Sequence, residues 1–360
     1  MNDEGPKPIV KNKAERSMLQ IFGSEWFGIP ISTLALSQVY IMMFGHYSNL
    51  AFRYVAEALT FTSIALFLFI FAMWITRGIT SGNRLNGGFH WDNLTRLSFI
   101  SLIPIMGFVG NSQLLFFFGI SPISARVSVF TFLVFYALSL LLGVLLGYRL
   151  YTKEIKPMEI NYAIVIPPLA IGTSVFLAQY LIPYYAGVTG QFLSFLVVMG
   201  LGIFFFLFIF IGSLALSGHV STKMHESLPT TMLPVGIASL IVINLFSISG
   251  FGSSWNSILT TTNLGLLTVM LWGFEVWNFL VVLIIMLAKP SKGNMSVWAY
   301  GFPLGLFATS TLRIMSVVNF GWLFWIFLMI TALLNILWVY GWISTVIYVR
   351  KTIVGMSKGA

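Results

Sequence analysis

Every second apolar stretch of this chain carries a proline at a similar depth, and the stretches between them carry none. The prolines are Pro30, Pro104, Pro167 (followed by Pro168), Pro234 and Pro303, spaced 74, 63, 67 and 69 residues apart. Their surroundings rhyme: Ile29-Pro30-Ile31, Ile103-Pro104-Ile105, Ile166-Pro167-Pro168-Leu169, Leu233-Pro234-Val235 and Phe302-Pro303-Leu304. A repeat of this length reads as five helical hairpins, each a broken helix followed by a plain one. Proline inside a helix deletes a donor and crowds the carbonyl one turn earlier. In hydrocarbon such backbone is tolerated only where protein or water reaches it. The expectation is therefore an inner set of five proline helices shielded from lipid by five plain ones, with quasi-five-fold symmetry.

The stretches are spans by length, since about 20 apolar residues cross a bilayer. They run near 26–44, 51–76, 97–118, 125–150, 161–181, 191–216, 231–248, 264–287, 295–312 and 322–349. Of the 360 residues 58% are apolar and only 8% charged, where a soluble domain carries about 25% charged. The sequence predicts an all-α integral membrane domain over 25–349, with tails at 1–24 and 350–360 and no room for a second, soluble domain. The breaks between spans alternate in charge, and 16 of the 19 basic residues fall on one side, leaving Arg53, Arg126 and Arg313 on the other. By the positive-inside rule both termini are cytoplasmic and the protein is multi-pass in the plasma or inner membrane. The net charge of +9 is scattered over short loops, which argues against a nucleic-acid partner. The absence of cysteine removes disulfides and thiolate chemistry.

Five parallel helices side by side enclose a central space, with their positive dipole ends around one mouth. Arg96, Lys156, Lys289 and Lys292 stand just before odd spans and make that mouth electropositive, although the same residues also serve topology. Basic mouths without an acidic ring favour anions. The residues before the prolines, Ile29, Ile103, Ile166, Leu233 and Phe302, define one apolar level. Narrow apolar constrictions gate by dewetting, and Phe302, the aromatic of the five, is the expected plug. Two carboxylates lie within spans. Glu57 follows Arg53 by one turn and reads as a local ion pair; Glu275 has no sequence-local partner, and is either a functional intramembrane group or a packing or subunit contact.

Phe27-Gly28-Ile29-Pro30, Arg96 with Phe99-Ile100-Ser101-Leu102-Ile103-Pro104-Ile105, and Trp298-Ala299-Tyr300-Gly301-Phe302-Pro303-Leu304 together resemble the tellurite-resistance/dicarboxylate transporter family, the superfamily of bacterial TehA and the plant slow-type anion channels. The resemblance covers residues 25–349. It implies ten helices in five hairpins with odd helices lining a pore, Phe302 as the occluding residue, Gly28 lying against it, and a homotrimer with one pore per subunit; a dimer is also open. Family members carry chloride, nitrate, malate, sulfite or tellurite.

The leading expectation is a passive channel for small chloride- or nitrate-like anions, because the predicted lining holds no ionisable residue. The alternative is a proton-linked transporter of C4-dicarboxylate, sulfite or tellurite oxyanions with Glu275 as the proton carrier. An enzyme is not expected. His46, His90, His219 and His225 sit in loops or at helix ends rather than as paired haem ligands, and no phosphate-binding, zinc-protease or nucleophile motif stands in a fitting context. No cofactor or metal is implied, and the partners are lipid and small anions.

Overall fold

The computed structural model describes residues 21–80, 94–152, 160–185, 187–222, 228–252, 258–290 and 293–358, and among these residues every regular element is helical. Among the described residues ten helices are long and apolar enough to cross a membrane. They are α1 (Ser24–Tyr47), α2 (Leu50–Thr80), α3 (Leu94–Phe118), α4 (Pro122–Thr152) and α5 (Tyr162–Tyr184), followed by α6 (Val188–Gly218), α7 (Leu228–Ser249), α8 (Thr261–Ala288), α9 (Met295–Val318) and α10 (Leu323–Val354). The helix that contains α10 continues to Lys358, so position 350 marks no break in the chain.

Odd and even helices occupy different places. Of the residues in the apolar stretch of each odd helix, 67% to 89% are buried, against 17% to 33% for the even ones. Around the interior α1 packs on α3, α3 on α5, α5 on α7, α7 on α9, and α9 back on α1, which closes a ring. Each even helix lies in the groove between its own odd partner and the next: α2 over α1 and α3, α4 over α3 and α5, α6 over α5 and α7, α8 over α7 and α9, α10 over α9 and α1. The outward faces of the even helices carry the exposed large apolar residues, among them Leu68, Leu141, Phe210, Ile284 and Ile343, as a lipid boundary requires. Every odd helix is also less hydropathic than every even one, so the less apolar member of each hairpin is the one placed inside.

The prolines sit elsewhere in their helices than the sequence suggests. Short 3-10 turns at Ser24–Phe27, Tyr162–Val165, Leu228–Met232 and Met295–Tyr300 precede α-helical segments that begin at Gly28, Ile166, Leu233 and Gly301. In α3 the helix Leu94–Ile100 ends at a turn on Ser101 and restarts at Leu102. Pro30, Pro104, Pro167, Pro234 and Pro303 thus stand in the first turn of an α-helical segment rather than in a helix interior. There a missing N–H costs least, because it has no intrahelical acceptor in any case.

Carbonyls at these junctions are met by hydroxyls and amides from neighbouring helices. Ser63 of α2 donates to the Pro30 carbonyl at 2.7 Å, and Ser32 of α1 donates to the Trp298 carbonyl at 2.7 Å. A second interruption, at Thr173 in α5, leaves the Gly172 carbonyl to accept from Asn244 Nδ2 of α7 at 3.1 Å. Thr60 of α2 lies 2.7 Å from Ser37 of α1 and 2.7 Å from Gln113 Oε1 of α3, while Gln113 Nε2 donates to the Leu34 carbonyl at 3.0 Å.

Glycine sets the approach of α9 to its neighbours. A Cβ on Gly301 would stand 2.5 Å from the Ser32 Cβ, and one on Gly305 would stand 2.8 Å from the Ala35 Cβ and 3.1 Å from its carbonyl oxygen. Small residues at helix interfaces are how membrane helices reach close contact without a hydrophobic driving force. Gly305→Val is expected to cost about 1–3 kcal/mol by overpacking, read as a lowered apparent Tm in detergent. Gly202→Ala on α6, where a Cβ meets nothing within 4 Å, is expected not to lower the Tm and to raise it slightly through helix propensity.

Candidate functional site

The ring interior is the candidate site, and the sequence expects the residues before the prolines to form one level of it. Ile29, Ile166, Leu233 and Phe302 are all buried, at 2%, 2%, 4% and 5% exposure, and Ile103 is half-buried. The four buried ones belong to one contiguous apolar cluster, and Ile103 packs against it. Phe302 is placed by the Trp298–Gly301 turn at the start of α9. The resemblance puts Gly28 against Phe302; the structure instead faces it with Trp298, whose Cβ would be 3.0 Å from a Cβ on Gly28, with no Phe302 atom within 4 Å of that position. Trp298 is fixed in turn by Nε1 donating to Thr345 Oγ1 of α10 at 2.9 Å. Gly28 therefore admits the α9 opening turn, one turn ahead of Phe302.

Of the four basic residues proposed for the mouth, two are described. Arg96 is half-buried in the first turn of α3, and its carbonyl accepts from Ser24 Oγ of α1 at 2.9 Å, so α1 and α3 begin side by side. Lys289 is exposed just past the end of α8. Lys156 and Lys292 lie outside the described residues. Arg77, at the end of α2, joins this end of the ring without a signal in the sequence: it is buried, donates to the Phe22 carbonyl at 2.9 Å and sits within electrostatic reach of Arg96 and Glu25.

Glu275 is fully buried on α8, at 0% exposure, where α8 leans into the groove between α7 and α9. Its Oε2 accepts from Ser239 Oγ of α7 at 2.8 Å and from Ser310 Oγ of α9 at 2.6 Å. Its Oε1 has no partner among the described residues. Both serines stand as close to helix carbonyls, Ser239 to Val235 at 2.8 Å and Ser310 to Phe307 at 3.0 Å. One hydroxyl proton cannot serve both acceptors, so either the serines hold an ionised carboxylate or a protonated one donates to a serine. With burial this complete, Glu275 joins two inner helices within one chain. Glu57 departs from expectation too. No ion pair joins it to Arg53 among the described residues; Arg53 instead donates to the Phe117 carbonyl at the end of α3, at 3.3 Å.

The largest departure is Arg313. The sequence assigns it to a loop, but α9 runs on to Val318 and holds it in the span. Phe302, Leu306, Thr309 and Arg313 follow at steps of four, three and four residues and so share one helix face. The inner helices are therefore not free of ionisable groups.

A family model described as voltage-dependent anion channel matches residues 21–346, which spans all five hairpins. The chain belongs to this family. Two transporters of Methanocaldococcus jannaschii, whose own activities are uncharacterised, are similar to it: one is 24% identical over 352 residues, covering 90% of this chain and 97% of the relative. The other is 24% identical over 208 residues, covering 52% of this chain and 57% of the relative. Membership accounts for the all-helical, ten-span architecture and makes the protein a multi-pass membrane transporter or anion channel.

Because both serines have carbonyls to fall back on, loss of the Glu275 charge orphans neither. Glu275→Gln keeps the volume, and its stability is expected to stay within about 1 kcal/mol of the parent's, read as a nearly unchanged apparent Tm. Unfolding of that variant would show instead that the ionised form holds α7, α8 and α9 together.

Proposed function

We propose that this member of the voltage-dependent anion channel family is a passive channel that conducts small chloride- or nitrate-like anions through the ring of odd helices, closed at the level of Phe302. The observation that carries this reading is the closed ring of α1, α3, α5, α7 and α9 with five apolar side chains at the pre-proline level. An apolar constriction in such a ring excludes water, and without water an ion faces the full cost of desolvation. The positive helix ends and Arg96, together with Lys156, Lys289 and Lys292, raise the local anion concentration at the mouth that the charge distribution orients to the cytoplasm. In this reading the repeats are related by quasi-five-fold symmetry, and subunits associate through their even helices as a homotrimer, each with its own conduit.

Replacing Phe302 with Ala removes the bulkiest group of the constriction. In planar bilayers under a salt gradient, the variant is expected to raise current by roughly tenfold or more, a barrier change of about 1.4 kcal/mol. The reversal potential is expected near that of the anion. Unchanged current, or a reversal potential that follows the cation, defeats the reading.

Glu275 supports a second reading, a proton-linked transporter of C4-dicarboxylate, sulfite or tellurite oxyanions. A buried carboxylate between two inner helices can couple its protonation to their separation. Substrate flux in proteoliposomes that runs uphill when a pH gradient is imposed, and is lost in Glu275→Gln, selects this reading. Flux that only dissipates gradients selects the channel.

A further inference from the structure

Arg313 has no acceptor for its buried Nε, and no carboxylate stands within ion-pair distance of it among the described residues. The carboxylates described in the molecule are engaged or remote: Glu275 takes hydroxyls of Ser239 and Ser310, Glu25 lies at the opposite end near Arg77 and Tyr348, and Glu57 belongs to the outer helix α2. A guanidinium left in a low-dielectric setting without a counter-charge is costly to keep, so a position that holds one is a position for an anion.

Two further observations aim it inward. Arg313 shares a helix face with Phe302, eleven residues or about 16 Å further along the axis. Its guanidinium is within electrostatic reach of Tyr180 on α5, yet α5 and α9 are not neighbours in the ring, each being separated from the other by α7. An interaction between helices that are not ring neighbours runs through the interior. On α7, Asn244 occupies the corresponding place, ten residues after Pro234 as Arg313 is ten after Pro303, and its amide is tied to the Gly172 and Leu240 carbonyls at 3.1 and 2.8 Å.

We propose that Arg313 forms an anion-binding site inside the ring, toward the C-terminal ends of the odd helices, which takes a small inorganic anion such as chloride or nitrate on the N–H edge of its guanidinium. Its role as a station for permeating ions rests on the conduit proposed above; binding itself does not. Tyr180 offers a hydroxyl from the facing wall. An anion entering from the Phe302 side meets no other fixed charge along the α9 face until Arg313.

The test titrates the purified full chain with sodium chloride replacing sodium gluconate at constant ionic strength, reading apparent Tm. Wild type is expected to show a saturable rise, as for any ligand that binds only the folded state. Arg313→Lys keeps a point charge without the planar fork and is expected to need roughly tenfold more chloride, the consequence of losing one charge-assisted hydrogen bond; Arg313→Gln is expected to show no saturable rise. If Arg313→Gln fails to fold, the displaced Arg313→Lys titration decides. A wild-type Tm indifferent to chloride, or variants that titrate like wild type, overturns the site. The same substitutions in the Phe302→Ala background separate the two proposals. Anion current whose half-saturating concentration ignores Arg313→Lys removes the site and keeps the conduit; a Tm titration that follows Arg313 without any anion current keeps the site and removes the conduit.

Discussion

Hydrocarbon offers no hydrogen bonds, so every backbone carbonyl and N–H at membrane depth must find its partner in protein or in water held by protein. That constraint sorts the ten helices. Five contain junctions near their prolines, four from 3-10 to α geometry and one, in α3, a turn at Ser101 between two α segments, and the carbonyls of Pro30 and Trp298 accept from Ser63 and Ser32 on adjacent helices. A helix that depends on its neighbours for such bonds cannot face lipid. The five plain helices complete their own backbone bonding and can.

The same division governs the charged groups. A net apolar surface of leucine, isoleucine and phenylalanine covers the outside, while the buried hydroxyls and amides of Ser37, Thr60, Gln113, Ser239 and Asn244 lie between helices. Glu275 is held where three helices converge, with one oxygen taking two hydroxyls. Arg313 is held on the face of α9 that begins with Phe302. Close packing by Gly236, Gly301 and Gly305, whose absent side chains would overlap Pro303, Ser32 and Ala35, joins α9 tightly to α1 and α7.

Much of this is legible in the sequence. The ten spans follow from apolar run length, and the inner-outer division follows from prolines in alternate spans. The lower hydropathy of the odd spans carries the same information independently. What is not legible is non-local. Ser239 and Ser310 stand 36 and 35 residues from Glu275, and nothing in their own surroundings pairs them with it. Arg313 reads as a loop residue because a charge ordinarily ends a span; only the tertiary ring supplies the interior that lets α9 continue past it. The resemblance implies that Gly28 lies against Phe302, whereas the contact it permits is with Trp298, because the turn before Gly301 brings the tryptophan rather than the phenylalanine to that level of α1. The position of the prolines in a first helical turn is not legible either, since over the four to six residues of these turns a 3-10 and an α period cannot be told apart.

The chain has no cysteine, so a single introduced thiol is read against a silent background. Thiols react as thiolates, which form in water and not in hydrocarbon. The most direct measurement places one cysteine at 29, 103, 166 or 233 in the Phe302→Ala background, and exposes each variant in proteoliposomes to anionic and cationic methanethiosulfonates. If the five pre-proline positions share one water path that favours anions, all four thiols are modified, the anionic reagent reacts faster, and a cysteine at the lipid-facing position 284 stays unmodified. Four thiols as inert as the one at 284 would contradict a common central conduit.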